Sequence, residues 1–537
     1  MAQKASDILR LFNQSKTDRT PLQSHWQDAY DYTYPQLGQG FSGVQDNGTA
    51  DAKKAALLDS TGTDATRTLA SALISGMTPA NAQWLNLSVS GQDAMSAAGH
   101  YLSQCAELVW KNIHSSNYDS EVYGSMLDFC IAGAFCLFVD VDRERGGFIF
   151  DQWPLAECWW ASSTGRIVDT IFREHTLTAA QAYEMFGEKA GEKVIETLRK
   201  NPQEKCRYLH AIGPRRMYQA GGMTAINKPY YSVQISMADS LIVRESGFDE
   251  FPVMVPRGTK IPGTEYATGL VSDALPDIKE LNELKRWEKA AAELAVAGMW
   301  IAQDDGVLNP RTVKIGPRKV IVASTTDAMK PLLTGSDFKV AFQSEASLQN
   351  NIRRTLMADV LTMANGSGQM TATEVNERMN IIRQQMAPMY GRLQAEFLIP
   401  MVERCFMLML RNGALPTPPD EMNDTDFHVT FDNPLARAMK LGQASAIQQA
   451  VGFVAQYSQV LPGIADNIDV DAAARDLFAT LGVPADIIKS SDDVDKVRGQ
   501  RAAAMQAQQA QQMQDQLGMQ NASEQITAQN APAAGVA

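Results

Sequence analysis

One stretch, Gly38-Gln39-Gly40-Phe41-Ser42-Gly43, carries the glycine spacing of a pyrophosphate-binding turn. That chemistry needs a buried strand ahead of the glycines and, behind them, a helix whose first amides face the anion. Tyr32-Thr33-Tyr34-Pro35 is not such a strand, and Val44-Gln45-Asp46-Asn47-Gly48 is not expected to open a helix, so the stretch reads as a loop. The chain has no GxxxxGK[ST] phosphate loop, HExxH pair, EF-hand loop or GxSxG elbow. His25, His100, His114, His175, His210 and His428 stand apart, none three or four residues from another, so no single helix face offers two imidazoles to a metal. Cys105, Cys130, Cys136, Cys158, Cys206 and Cys405 form no CxxC pair and read as buried thiols in reducing surroundings. Asp140 and Asp142 beside Arg143 could move protons, although a hairpin rim is the commoner setting for them. No enzymatic activity, cofactor or metal is expected.

The composition narrows the field further. Among 537 residues, 48 Lys plus Arg stand against 61 Asp plus Glu, a net charge of −13, with 45% hydrophobic and 20% charged residues. This is a core-forming chain, and at roughly 100 to 200 residues per domain it is long enough for more than one. Non-specific DNA affinity comes from cations that displace phosphate counterions, so such an acidic chain cannot grip DNA over its whole surface. The one cationic cluster is Arg311, Lys314, Arg318 and Lys319, suited to DNA phosphates or an acidic partner, or simply to a solvated hairpin face. Arg353-Arg354 could line a passage, but pairing with carboxylates across a subunit interface is the reading preferred here. The first seven residues lack the apolar core of a signal peptide, so no export is expected. The longest uncharged apolar run, Phe129 to Val139, is well short of the roughly 18 to 20 residues that span a bilayer. It reads as a buried helix end running into a strand.

Periodicity shows which elements must carry these residues. Apolar positions at helical spacing run from Ile8 to Tyr30, from Ala52 to Met77 and from Tyr101 to Ile113. Short β-prone runs follow at 137–141, 148–150, 158–161, 167–172, 230–235 and 241–243, with helices around 179–186 and 192–199. A helix from about Ser272 to Gly298 and another from about Ser344 flank a small β insertion that holds the basic cluster. A loop, Asn365-Gly366-Ser367-Gly368-Gln369, then leads to the capping box Thr371-Ala372-Thr373-Glu374. The helix beyond it contains Pro388 and Pro400, so it is expected to be kinked or interrupted. A β-prone run at His428 to Phe431 precedes helical patterns, and the Gln-, Ala- and Met-rich tail begins near Asp492.

Taken in order, these parts resemble the portal, or head-to-tail connector, proteins of short-tailed bacteriophages. The resemblance covers nearly the whole chain. Its carriers are Leu58-Asp59-Ser60-Thr61 with Leu69-Ala70-Ser71 and Met77-Thr78-Pro79 up to Trp84, then Ala274 to Asn282, then Met370 to Val375 with Arg378. It implies an α+β, mainly helical, portal-type fold assembled as a ring, usually of twelve subunits, at one capsid vertex. Mapped onto this chain, 1–270 would be the wing, 271–299 and 343–364 the stem helices, and 300–342 the clip that meets the motor and tail. Residues 365–370, Asn365 to Met370, would be the tunnel loop. Residues 371–431 would be a kinked helix returning to the wing, 432–491 a helical crown, and 492–537 a barrel extension or a disordered tail. The implied partners are further copies of the chain, the terminase large subunit, tail adaptors, scaffolding and major capsid protein, internal core proteins, and double-stranded DNA without sequence specificity. No membrane is involved. The implied location is the virion, with assembly in the host cytoplasm.

The residues agree with that resemblance on physical grounds. A channel through which DNA slides cannot hold phosphates tightly, and twelve copies would carry roughly −156 charges, centring the duplex by repulsion. Two rival readings remain. A phage scaffolding or internal-core protein would be long-helical throughout, without the mixed first half. A metal-dependent enzyme would need carboxylates that converge in space.

Overall fold

The structure, a computed structural model, describes residues 4–41, 47–89, 97–163, 167–218, 224–297, 300–302, 329–331, 338–358, 386–418, 427–431, 447–454, 456, 469, 471–474, 477, 493–509 and 511–512. The chain divides into two units. The first comprises Met1–Ser88, Leu102–Thr417 and Phe427–Met439; the second comprises Val89–Tyr101, Pro418–Asp426 and Lys440–Ala537.

The first unit mixes helices and sheets. Helix α1 (Ala5–Asp31) leads to α2 (Asn47–Ala56) and α3 (Thr61–Met77). Strand β1 (Leu85–Val89) pairs with a late strand, Phe427–Phe431. Helices α4 (Ala97–Ser115) and α5 (Tyr118–Ala132) run into the antiparallel hairpin β2 (Cys136–Val141) and β3 (Phe148–Trp153). Its turn is held by Asp142, which accepts from the backbone N–H groups of Glu144 (2.9 Å) and Arg145 (3.1 Å), and Gly146 and Gly147 take the positive φ the turn requires. Those backbone donors hold the Asp142 carboxyl below the usual range.

Next comes a five-stranded antiparallel meander: β4 (Cys158–Ala161), β5 (Thr170–Thr178), β6 (Lys205–Pro214), β7 (Tyr230–Ser236) and β8 (Leu241–Phe248). Side chains alternate across its two faces. On one face Trp159, Phe172, Leu209, Ala211, Val233 and Ile235 pack under Ile8 and Phe12 of α1, with the Phe12 ring edge-on to Trp159 at 5.1 Å. The other face is shared. Tyr208 and Val243 lie under α6 (Ala179–Phe186) and α7 (Glu192–Lys200), whereas Trp160, Ile171 and Ile212 join the main core. That core centres on Trp26, Trp160 and Tyr266, whose ring centroids lie 4.6 to 6.1 Å apart. Rings this large remove about 150–250 Å² each from water, and their edge and offset contacts add to that.

Two helices complete the framework, α8 (Leu270–Ala297) and α9 (Phe338–Thr355). They contribute Val271, Ala274, Leu275, Ile278 and Leu281, and Leu348, Ile352 and Leu356, to the main core. Between them Trp300–Ala302 pairs antiparallel with Met329–Pro331, Trp300 opposite Pro331. Helix α9 starts six residues before the expected Ser344, so 338–342 belong to the helix and not to the β insertion. Extending a helix adds one hydrogen bond per residue fixed, and that outweighs the weak β preference of Phe338-Lys339-Val340-Ala341-Phe342. The helix ends at Thr355, and Met357 in the turn beyond it has a φ of 57°. A second correction concerns Asn47 and Gly48, which do open a helix, α2. No strand precedes the glycine run among the described residues; Asp31 ends a helix, and 32–33 and 35–41 are turns, so the pyrophosphate pattern still lacks its frame.

Backbone packs tightly where α5 stops. Gly133 caps α5 at φ 80°, and a Cβ there would stand 2.2 Å from the Thr268 carbonyl carbon. Gly133→Ala is expected to cost at least about 2 kcal/mol, from the strained φ plus a clash that backbone cannot relieve. A urea titration showing a loss below about 0.5 kcal/mol would contradict this.

In the second unit, 447–454 and 493–509 are helical and the Arg498 guanidinium forks onto Asp471 at 2.5 and 2.7 Å. The other expected helices of 432–491, and the tail beyond 512, fall largely outside the described residues.

Candidate functional site

The three segments that carry the resemblance are far apart in sequence, and two of them meet around the helix pair. The Leu58 N–H donates to Asn282 Oδ1 on α8 (2.9 Å), and Gln349 Nε2 on α9 donates to Asp59 Oδ2 (3.0 Å). Asp59 also accepts from the Thr61 N–H (2.7 Å), shaping the entry to α3. Gly62 lets α3 approach so closely that a Cβ would stand 3.0 Å from Ile278 Cδ1. Lys279 binds Asp28 of α1 at 2.6 Å, and Lys285 on α8 pairs with Glu345 on α9 at 2.5 Å. Asn282 is buried, so its bond to Leu58 satisfies a polar group that would otherwise be costly to bury.

The chain downstream is bolted to the first half by three arginines. Arg257, 1% exposed, donates through its backbone N–H, Nε and Nη2 to Glu396 (3.0, 3.1 and 3.0 Å) and through Nη1 to Glu265 (2.6 Å). Glu396 sits in a π-helical turn, Gln394–Leu398, that interrupts the α-helical run of 386–393 just before the helix Ile399–Arg411. Pro400 follows directly. A proline cannot donate to the carbonyl four residues back and its ring crowds that carbonyl, so a wider turn relieves the conflict. Arg404 is buried on that helix and donates to the carbonyl oxygens of Val139 (2.7 Å) and Glu250 (3.2 Å), with Asp140 at 3.6 Å. Arg411 forks onto the Glu250 carboxylate. Another buried arginine, Arg19, donates to the carbonyls of Leu155, Ala156 and Cys158 and lies 4.0 Å over Trp159; burial pushes its pKa down to about 10, which keeps it charged.

These arginines were not anticipated from sequence. Arg404 left a trace, as a charge among Met401, Val402, Cys405 and Leu408 on the buried face of its helix. Of the expected site residues, Arg353 and Arg354 lie exposed on the last turn of α9. Arg311, Lys314, Arg318 and Lys319 lie outside the described residues, as do Asn365, Gly366, Ser367, Gly368, Gln369 and Met370 and the capping box Thr371 to Glu374.

Among the described residues, two histidine contacts resemble those of catalytic groups. His210 and Ser232 share a 2.9 Å hydrogen bond, the contact of a base with a nucleophile. Burial pushes His210 down to about 3, too weak a base to take the hydroxyl proton near neutrality, and Ser232 is itself buried. His175 is likewise pushed down to about 4 by burial. His114 accepts from the Trp84 ring N–H (2.9 Å) and sits 2.9 Å from Asp119 through Nδ1. Asp140 and Asp142 sit at the end of the β2–β3 hairpin. Among the described residues no three His, Cys, Asp or Glu side chains gather to hold a metal ion, and no helix is long and apolar enough to cross a membrane. The six cysteines are free thiols, five of them buried. A cavity of about 400 Å³ opens where the end of α5, the start of α8, Met357 and Met389 converge. Its two cations, Lys260 and Arg392, already face Glu265 (3.3 Å) and Glu396 (3.9 Å).

Comparison with known proteins matches the sequence to one family. Residues 5–488 match the model of the family described as bacteriophage head to tail connecting protein. The "Probable portal protein" of Bordetella phage BPP-1 is 27% identical over 512 residues, covering 94% of this chain and 92% of the relative. The "Portal protein" of Salmonella phage epsilon15 is 27% identical over 519 residues, with the same coverage. A solved structure titled "Neck of empty GTA particle computed with C6 symmetry" aligns with 73% of this chain and 86% of its own, at 13% identity and a TM-score of 0.36, a similarity that carries no argument. With the family match running from the first helix to within fifty residues of the last, the chain belongs to the bacteriophage head to tail connecting protein family.

Proposed function

We propose that the chain is the portal subunit of a phage virion, closing in about twelve copies into a ring at one capsid vertex. Genomic DNA enters through this ring, driven by the terminase motor, and later leaves through it, and tail proteins attach to it. The observation that carries this reading is the family match over residues 5–488, joined by two relatives named portal proteins along 94% of the chain. In this reading residues 1–270 are the wing, α8 and α9 the stem, 300–337 the clip, 432–491 the crown, and the tail beyond 492 a barrel extension. Arg311, Lys314, Arg318 and Lys319 meet the terminase large subunit and then the tail adaptors. Asn365 to Met370 reach into the bore as the tunnel loop. Scaffolding, major capsid and internal core proteins complete the partners. The ring assembles in the host cytoplasm and stays in the virion. The arginine bolts support the assignment of roles, since a subunit that passes DNA must keep its helices fixed to its outer part while the duplex slides.

Replacing Gly366-Ser367-Gly368 with bulky residues is expected to leave rings with a central hole in negative-stain images while lowering packaged DNA length and titre at least tenfold. Unchanged packaging in the altered phage would remove the loop's assigned role. A wild-type protein that images as a solid monomer would remove the portal reading itself.

A further inference from the structure

The exposed faces of α8 and α9 carry opposite charge at matching heights. On α8 the side chains turned from the core include Asp273, Glu280 and Trp287, spaced seven residues apart and therefore on one stripe. Trp287 is 67% exposed, a large apolar ring standing in solvent midway along a helix that buries its opposite side. On α9 the exposed stripe holds Ala346, Ser347 and Asn350 and ends in Arg353 and Arg354. Asp273, Glu280, Arg353 and Arg354 make no ion pair with any described residue of their own chain, whereas neighbouring charges such as Glu283 with Arg286 and Lys285 with Glu345 are paired.

The register of the helix pair sets the heights. The antiparallel pairing of Trp300–Ala302 with Met329–Pro331 brings the chain back where it left, so α8 and α9 run in opposite directions, and Lys285 meets Glu345. Arg353 is eight residues past Glu345 and so lies level with Asp277, eight before Lys285. Arg353 and Arg354 therefore stand at the height midway between Asp273 and Glu280, each about 4.5 Å from one carboxylate and about 6 Å from the other along the axis. By the same count the small side chains of Ala346 and Ser347 lie within about one turn of the height of Trp287.

We infer that the α8 stripe of one copy docks on the α9 stripe of the next, Asp273 and Glu280 receiving Arg353 and Arg354, and Trp287 covering the shallow surface at Ala346 and Ser347. The inference rests on the portal reading. A rotation about an axis running along the helices keeps every residue at its height, so groups that are level within one subunit meet between subunits. The two stripes lie on different helices, which is what a head-to-tail contact that closes into a ring requires. The occupant of both stripes is accordingly a second copy of this chain. Charge complementarity sets the register of that contact, and the tryptophan supplies the central buried anchor.

Two reversals test it in the full-length protein, with ring fraction read by mass photometry and folding by circular dichroism. Asp273→Arg with Glu280→Arg, and separately Arg353→Glu with Arg354→Glu, are each expected to raise the subunit concentration for half assembly at least tenfold while the fold is retained. An equimolar mixture of the two variants, and the quadruple variant alone, should both regain rings, because every contact is again between opposite charges. Trp287→Ala should weaken assembly more than the loss of either arginine. In the unaltered protein, moving from about 50 to 500 mM NaCl should raise the half-assembly concentration severalfold; this reads the same contact even where a reversal disturbs folding. Rings that persist in both reversals, a mixture no better than its components, or assembly indifferent to salt would each overturn the pairing while leaving the portal reading standing. An unaltered chain that forms no ring would overturn both.

Discussion

Arg257→Ala is expected to cost about 3–5 kcal/mol of folding stability, the range for removing one member of a buried ion pair. The guanidinium is 1% exposed and its fork engages both oxygens of Glu396, with a third bond to Glu265. Alanine leaves Glu396 with the backbone N–H of residue 257 (3.0 Å) and with Arg392, at 3.9 Å, in place of the guanidinium fork. It also frees the π-helical turn from the strand region to which it is tied, so limited proteolysis should open 386–411 first. The paired change Arg257→Met with Glu396→Leu removes both charges and should recover most of the loss, because two apolar side chains tolerate the site better than one unmatched carboxylate. Urea titration of the single and double variants checks this. A single variant within about 1 kcal/mol of wild type would show that the bolt does not hold this region.

Asp128→Asn is expected to stabilise the protein, and to do so more as pH rises. Asp128 is buried in α5, where it accepts from the Tyr30 hydroxyl (2.6 Å) and Gln152 Nε2 (2.6 Å). Burial pushes its carboxyl up to about 7, with the two hydrogen bonds opposing only part of that rise. The folded state therefore holds a proton that the unfolded chain has released between about pH 4 and pH 7. Stability falls with rising pH across that window and is flat above it, where both states are ionised. At about 1.4 kcal/mol per unit, a shift of roughly three units sets a ceiling near 4 kcal/mol. Asparagine has no charge to bury, so its gain should be about 2–4 kcal/mol at pH 8 and smaller by about 2 kcal/mol at pH 5. The Gln152 amide can turn to accept from the new amide group. Denaturation midpoints at the two pH values decide the matter; an equal shift at both would show that Asp128 does not titrate as described.

Much of the fold was legible in the sequence because local signals agreed with the final packing. The helix over 179–186 was readable to the residue, and its start carries a capping box: Thr178 accepts from the Gln181 N–H and Gln181 accepts from the Thr178 N–H. The β2–β3 hairpin announced itself through Gly146-Gly147. Strand β6 was missed because Tyr208, Leu209, Ala211 and Ile212 are all buried, so a central strand covered on both faces shows no clean alternation. Most of α5 before Phe129 was missed for a related reason: its second half, Ser125 through Ala132, is buried without a break, and a stretch buried on every side has no apolar stripe to detect. Strand β1 gives too short a run to stand out. Of the contacts around the helix pair, Asp59 and Asn282 stand within segments that the sequence singled out, although their partners Gln349 and Leu58 could be paired with them only in the folded chain. Arg257 and Arg404 could not be read as bolts, since their partners Glu396 and Val139 lie 139 and 265 positions away and only the folded chain brings them together.

The small antiparallel clasp at Trp300–Ala302 and Met329–Pro331 also bears on how such a chain can diverge. It turns everything between its two strands into a detour that departs and rejoins at one point, so the separation of the adjoining helices does not depend on what the detour contains. A lineage can thus lengthen, shorten or exchange that detour, as a workshop changes the bit of a drill, without retuning the chuck that grips it.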